Sequence, residues 1–245
     1  MSDQEVMILV GVAAAASLVK STLGVGYPIF LLPVLALFMD LADAIVVVAP
    51  SNLAMNAVLL WNVRSEAGKS HTLRRFLGWS IGFAIIGSLA VPILPEVVLR
   101  LLLVGIVLVF LINRRRSPQF VLSPQRAHTF TPAAGALAGL FQGATGVSGP
   151  VITPWFLSQG LGRNAFVYSI SSAFALAGLA QIVGLAGQGL FTDDLLFPSL
   201  LIIPVALAIV PIGLWVRRRV SAETFEGLVV LLLIGSAIAI LVRMF

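Results

Sequence analysis

Residues 21–28 read Ser-Thr-Leu-Gly-Val-Gly-Tyr-Pro, and residues 143–150 read Gly-Ala-Thr-Gly-Val-Ser-Gly-Pro. Each stretch interrupts a long apolar run with glycine and proline, the residues least suited to a helix interior. An offset of 122 residues lays Gly24 on Gly146, Val25 on Val147 and Pro28 on Pro150, and it carries Gly105 onto Gly227. That offset is half of the 245-residue chain, so the pattern reads as an internal duplication with four elements in each half.

The rest of the chain sets the solvent. Hydrophobic residues make up 59% of it and charged residues only 10%, with a mean hydropathy of +1.07. A soluble domain carries about 25% charged residues. This chain lacks the polar side chains to cover a water-facing surface, so it is read as an integral membrane protein. Its apolar segments are continuous rather than alternating, which favours helices over a barrel. There is no cysteine, so disulfide, iron–sulfur and thiolate chemistry are excluded. The net charge of +5 resides largely in triplets, Arg114–Arg116 and Arg217–Arg219, that abut apolar spans. Topology-setting charges belong there, so no nucleic-acid partner is expected. Met7–Val19 has the length of a signal-peptide core, but Asp3 and Glu5 precede it where lysine or arginine would be required. It is kept as part of the mature chain.

Apolar blocks fall at about 4–20, 28–39, 43–63, 76–94, 97–113, 131–145, 150–160, 165–187, 195–216 and 224–243. A crossing needs about 20 residues, a length that the third, fourth, fifth, eighth, ninth and tenth blocks reach. The pairs 4–20 with 28–39 and 131–145 with 150–160 are broken hairpins. Basic loops mark the cytoplasmic side: Arg64, Lys69, Arg74 and Arg75, then Arg114–Arg116 with Arg126, then Arg163, then Arg217–Arg219. All of them fall inside if 131–160 dips in and returns. The acidic start, Asp40, Asp43, Asp193 and Asp194 then lie outside. Eight plain crossings would strand one arginine triplet on the wrong side. The expected fold is therefore an all-α membrane protein of two inverted four-element repeats, each a broken or re-entrant helical hairpin plus three transmembrane helices. The repeats span 1–116 and 131–245, with 117–130 as a cytoplasmic linker.

Broken helices survive in a membrane only where they are buried in protein or line a polar cavity, and paired breaks point to a substrate site. Pro28 and Pro150 suit the first turn of a new helix. The amides around Gly26–Ile29 and Ser148–Ile152 would then be free donors at the positive ends of two helices, a receptor for an anion. Gly24, Gly26, Gly146 and Gly149 let backbone approach a ligand closely. Ser21, Thr22 and Tyr27 flank the first break, and Gln142, Thr145 and Ser148 flank the second. Asn52 and Asn56 share a helical face, and Ser171 and Ser172 sit opposite Ala49 and Pro50 in the duplication. For each small polar residue, hydrogen bonding between helices is the plainer role. Lys20 either attracts the anion from a hairpin tip or snorkels to the interface. No Asp or Glu lies at the centre of a span, which argues against a cation substrate.

The GVGYP and GVSGP breaks, each following an apolar helix in a duplicated eight-element chain, resemble those of the sulfite exporter TauE/SafE family, also called 4-toluene sulfonate uptake permeases. The likeness covers essentially the whole chain. Val25 and Tyr27 stand where the family usually has more glycine. The resemblance implies multi-pass residence in a bacterial inner membrane, no cofactor, and transport of sulfite, thiosulfate, sulfoacetate or another organosulfonate. Two rivals remain in view. Gly146-Val147-Ser148-Gly149 fits a G-x-S-G protease pattern, but the only histidines, His71 and His128, lie in arginine-flanked loops away from it, and a serine nucleophile needs an adjacent base. No enzyme activity is expected. An anion channel or membrane-embedded assembly protein is the other alternative.

Overall fold

The computed structural model describes residues 3–23, 26–115, 121–216 and 219. The block at 224–243 lies outside the described residues, as do Gly24, Val25, Arg116–Gln119, Arg217, Arg218 and Gly227. The described chain is helical and holds no strand: α1 (Asp3–Leu23), α2 (Tyr27–Leu35), α3 (Leu41–Asn62), α4 (Leu73–Leu89), α5 (Glu96–Arg115), α6 (Pro124–Thr145), α7 (Gly149–Leu157), α8 (Arg163–Gly187) and α9 (Asp193–Val216). Among the described residues, α3, α8 and α9 are long and apolar enough to cross a bilayer. Large apolar side chains lie exposed on several helices, including Trp79, Ile86, Leu101, Leu179, Phe197 and Trp215. So much outward apolar surface requires a lipid neighbour. The chain is a multi-pass membrane protein.

Both broken hairpins have one long arm and one short arm. α1 and α6 have 21 and 22 residues, while α2 and α7 have 9 each. At 1.5 Å per residue the long arms reach ~32 Å and the short arms ~13 Å. α6 starts at Pro124, ahead of the apolar block at 131–145. Ser123 caps it by accepting the Arg126 amide at 3.5 Å, and Pro124 occupies the first turn. The polar residues Gln125 and Arg126 remain exposed there. Hydropathy alone misses such a start.

Side chains too small to hold helices apart set the closest contacts. α4 and α6 run parallel, with Gly135 against Phe76, Gly139 against Ser80 and Gly143 against Ala84. A Cβ at Gly135 would sit 2.7 Å from the Phe76 carbonyl oxygen, and those at Gly139 and Gly143 would overlap the Ser80 and Ala84 carbonyls. Glycines spaced by four let backbones meet in this way in membranes. Small residues recur on α1, where Ala13, Ser17 and Ser21 stand 122 residues before Gly135, Gly139 and Gly143. That face packs on α9, and a Cβ on Gly213 would overlap Ser21. The Ser17 and Ser21 hydroxyls bond back to the Ala13 and Ser17 carbonyls at 2.7 Å, so neither is left unsatisfied. α3 and α8 pack on each other, α3 also on α9 and α8 on α4.

The ends of the two hairpins have different neighbours. Those of the first meet the starts of α3 and α9 around Ile8, Leu35, Asp43 and Asp194. Those of the second meet the start of α4: the Leu122 amide donates to the Ser158 carbonyl at 2.7 Å, and the Ser70 and Thr72 hydroxyls donate to Gln159 Oε1 at 3.1 and 2.9 Å. α3, ~33 Å long, and the loop after it separate these two sets of neighbours.

Candidate functional site

Glycine makes both breaks possible. Gly26 precedes α2 at φ 112°, and Gly146 ends α6 at φ 71°, a left-handed backbone that L side chains resist. At the second break the Gly146 amide returns to the Gln142 carbonyl at 2.8 Å, and the Val147 amide donates to Thr145 Oγ1 at 3.2 Å. Ser148 then begins α7, its carbonyl accepting the Val151 and Ile152 amides at 3.0 and 2.9 Å. Among the described residues the Ser148 and Gly149 amides make no hydrogen bond.

The two breaks meet. Gly26, Pro28 and Ile29 from the first and Gly146, Val147, Ser148 and Gly149 from the second wall a single cavity of about 20 Å³. Lys20, Asn52 and Phe174 complete it. Lys20 is buried, with 3% of its surface exposed, so the snorkelling alternative does not describe it. Its ammonium donates to Asn52 Oδ1 and Asn56 Oδ1, both at 2.9 Å, and lies 5.9 Å from the centre of the Phe174 ring. Asn56 in turn donates to the Asn52 carbonyl at 2.9 Å and to Asn52 Oδ1 at 3.2 Å. Two asparagines one helical turn apart thereby hold one buried lysine without a carboxylate.

The other wall is uncharged. Ser148 Oγ donates to Gln142 Oε1 at 2.6 Å, Gln142 Nε2 donates to Gln181 Oε1 at 3.0 Å, and Gln181 Nε2 donates to the Gly143 carbonyl at 3.2 Å. Gln142 stands 122 residues after Lys20, and Phe174 stands 122 residues after Asn52. Lys20, Asn52 and Phe174 of these offset pairs line the cavity, and Gln142 stands behind its wall, bonded to Ser148.

Some residues singled out in the sequence lie elsewhere. Ser21 packs under Gly213, and Thr22 Oγ1 donates to the Gly213 carbonyl at 3.4 Å, so both face α9. Tyr27 is fully buried and donates to Ser51 Oγ at 2.9 Å. Ser171 and Ser172 are buried in α8 away from the cavity wall, and Gly24 lies outside the described residues. Conversely, Phe174 lines the cavity and Gln181 bonds Gln142 behind it, though neither was expected there. The duplication offset applied to Asn52 would have found Phe174. Gln181 carries no comparable signal, because its partners come from another helix.

The sequence matches the family model described as Sulfite exporter TauE/SafE over residues 8–240. The chain belongs to the sulfite exporter TauE/SafE family. The match takes in both breaks and both halves. No curated protein and no solved structure matches the chain. As a TauE/SafE member it belongs to a family of membrane transporters for sulfite-type anions.

This TauE/SafE chain has a second cavity, of about 230 Å³, at the ends of the first hairpin, lined by Asp43, Asp194, Leu195 and Pro198 among others. The residues 122 positions before Asp194, Leu195 and Pro198 are Thr72, Leu73 and Phe76. All three are buried, and the Phe76 ring packs on Trp155 and Phe156 at 6.3 and 5.0 Å. The ends of the first hairpin thus border a cavity, while these three positions beside the second are packed.

Proposed function

We propose that this TauE/SafE protein binds a small sulfur oxyanion or sulfonate (sulfite, thiosulfate, sulfoacetate or a related compound) between the two breaks, and carries it across a bacterial inner membrane by alternating access. The observation that carries this reading is the shared cavity: two glycine-proline helix starts, two unbonded amides and one buried ammonium converge on it. Helix N-termini favour anions by dipole and by free N–H groups, and the Lys20 charge adds long-range attraction in a dry site. Lys20, Gly26, Asn52, Gly146, Ser148 and Gly149 would touch the anion. Asn56, Gln142 and Thr145 would hold those groups in place.

A cavity of about 20 Å³ holds roughly one water. A sulfonate needs more room, so the walls must part as it enters. The reading therefore takes this conformation as closed around the site, open towards the ends of the first hairpin and sealed at the ends of the second. Inverted repeats supply such a pair of states when the two halves exchange shapes. The symmetric pairing of α4 with α6 and α1 with α9 supports that arrangement, as do the different neighbours of the two hairpins. Exchange would break the Gln159 contacts to Ser70 and Thr72 and collapse the cavity beside Asp43 and Asp194.

The test is a thermal-shift and calorimetric screen of purified protein against sulfite, thiosulfate, sulfoacetate, sulfate and taurine. A sulfur anion is expected to raise the melting temperature, and zwitterionic taurine to leave it unchanged. A flat response to every anion would refute the reading.

A further inference from the structure

We propose that the cavity selects an oxyanion carrying one proton, such as hydrogensulfite, over its fully deprotonated form or an aprotic sulfonate. This rests on the anion site proposed above and follows from the direction of the hydrogen bonds in its two walls.

The uncharged wall has a fixed polarity. The Gly143 carbonyl can only accept, so the Gln181 group facing it at 3.2 Å must be the amide nitrogen. That turns Gln181 Oε1 towards Gln142, whose facing group at 3.0 Å must then be its own nitrogen. Gln142 Oε1 is left for Ser148, and the serine hydroxyl donates to it at 2.6 Å. A serine hydroxyl has one hydrogen. With that hydrogen committed, Ser148 Oγ offers the cavity only lone pairs. A backbone carbonyl, relayed through two buried amides, has made a cavity-wall hydroxyl an obligate acceptor.

The charged wall has the opposite polarity. Lys20 spends two of its three N–H groups on Asn52 Oδ1 and Asn56 Oδ1. Asn52 Oδ1 also accepts from Asn56 Nδ2 at 3.2 Å, so Asn52 Nδ2 is left as a donor in the cavity wall. Ser148 Oγ is therefore the one side-chain acceptor fixed in the described wall, beside donors from Lys20, Asn52 and the Ser148 and Gly149 amides. A bare anion would satisfy the Lys20 side and set an oxygen against the Ser148 lone pairs. An anion with one O–H satisfies both. Lys20 is the one titratable side chain in the described wall. α2 contributes Pro28 and Ile29, α3 and α8 the uncharged Asn52 and Phe174, and the turn before α7 Ser148; Tyr27 lies outside the wall and donates to Ser51.

The experiment is calorimetric titration of the full-length protein with sulfite and with methanesulfonate, at mildly acidic and mildly alkaline pH. Methanesulfonate is a monoanion without an O–H at either pH, so at acidic pH, where sulfite is a monoanion too, the affinity ratio cancels the charge of Lys20. Hydrogensulfite is expected to bind about tenfold tighter than methanesulfonate at acidic pH, the effect of one buried acceptor left unmet. The ratio should fall as the dianion takes over. Ser148→Ala should bring the acidic ratio near one. Gln181→Met, which releases the relay from the Gly143 carbonyl, should lower it as well. Anion binding with no acidic preference, or an unchanged preference in both variants, would overturn the proton selectivity and leave the anion site standing. Binding of neither anion by the wild-type protein would overturn both.

Discussion

Replacing Gly143 with alanine adds one methyl where α6 lies on α4, and the structure sets the sign of its effect. The new carbon would overlap the Ala84 carbonyl oxygen and lie 2.6 Å from the Ser88 nitrogen and 2.9 Å from the Ala84 carbonyl carbon. These are backbone atoms of a packed helix, so no side chain can turn aside. The helices must part by about 1 Å to recover an ordinary separation of ~3.5 Å. Overpacking of this kind costs about 1–3 kcal/mol, against which alanine returns up to ~1 kcal/mol of helix propensity. The expected result is a net loss of about 1–2 kcal/mol. Gly82 on α4 is the control, because a Cβ there meets nothing within 4 Å. Its alanine variant should be as stable as the wild type or slightly more so. The displacement has a second consequence: the Gly143 carbonyl holds Gln181 at 3.2 Å, and a shift of that size exceeds hydrogen-bond reach. Thermal unfolding of both variants in one detergent reads the first effect, and sulfite titration the second. Gly143→Ala unfolding at or above the temperature of Gly82→Ala would refute the packing argument.

Three further outcomes follow from the same geometry. Lys20→Met should weaken sulfite binding by roughly 30- to 1,000-fold, since a charge about 4 Å from an anion is worth ~2–4 kcal/mol at intermediate dielectric; calorimetry checks it, and an unchanged affinity would remove Lys20 from the site. Gly146→Val should destabilise the protein by about 1–2 kcal/mol through the left-handed backbone at φ 71°, although the nearest atom to a Cβ there is 3.6 Å away; Gly149→Ala, with no contact and no positive φ, should cost much less in the same unfolding assay. Gln159→Leu deletes the acceptor of Ser70 and Thr72 and should raise labelling of a cysteine placed at Thr72 by a membrane-impermeant reagent applied from the side on which Thr72 lies; unchanged labelling would mean that these contacts do not seal that end.

Much of this architecture was legible in the residues because glycine and proline leave few choices. Gly26 and Gly146 at helix ends, and Pro28 and Pro150 in the first turns after them, mark the breaks in any reading. The 122-residue offset then pairs Pro28 with Pro150, and both breaks wall one cavity. What escaped had no period to betray it. Gly135, Gly139 and Gly143 read as neutral in a hydropathy scan, yet they decide how closely α4 and α6 approach. Ser21 and Thr22 adjoin the first break in sequence, but one helical turn swings them to α9, where Gly213 leaves room. Gln181 joins the site only through partners on α6. The start of α6 at Pro124 lay hidden in polar residues that a hydrophobic count assigns to a linker.

Whether the anion sits between the breaks is decided most directly by locating a heavier analogue. A structure of the purified protein soaked in selenite, with selenium found by anomalous scattering, would place the ligand without reference to any mutation. The account predicts a peak bounded by Lys20, Asn52, Gly26 and Gly149. A peak confined to the cavity beside Asp43 and Asp194, with none between the two breaks, would contradict it.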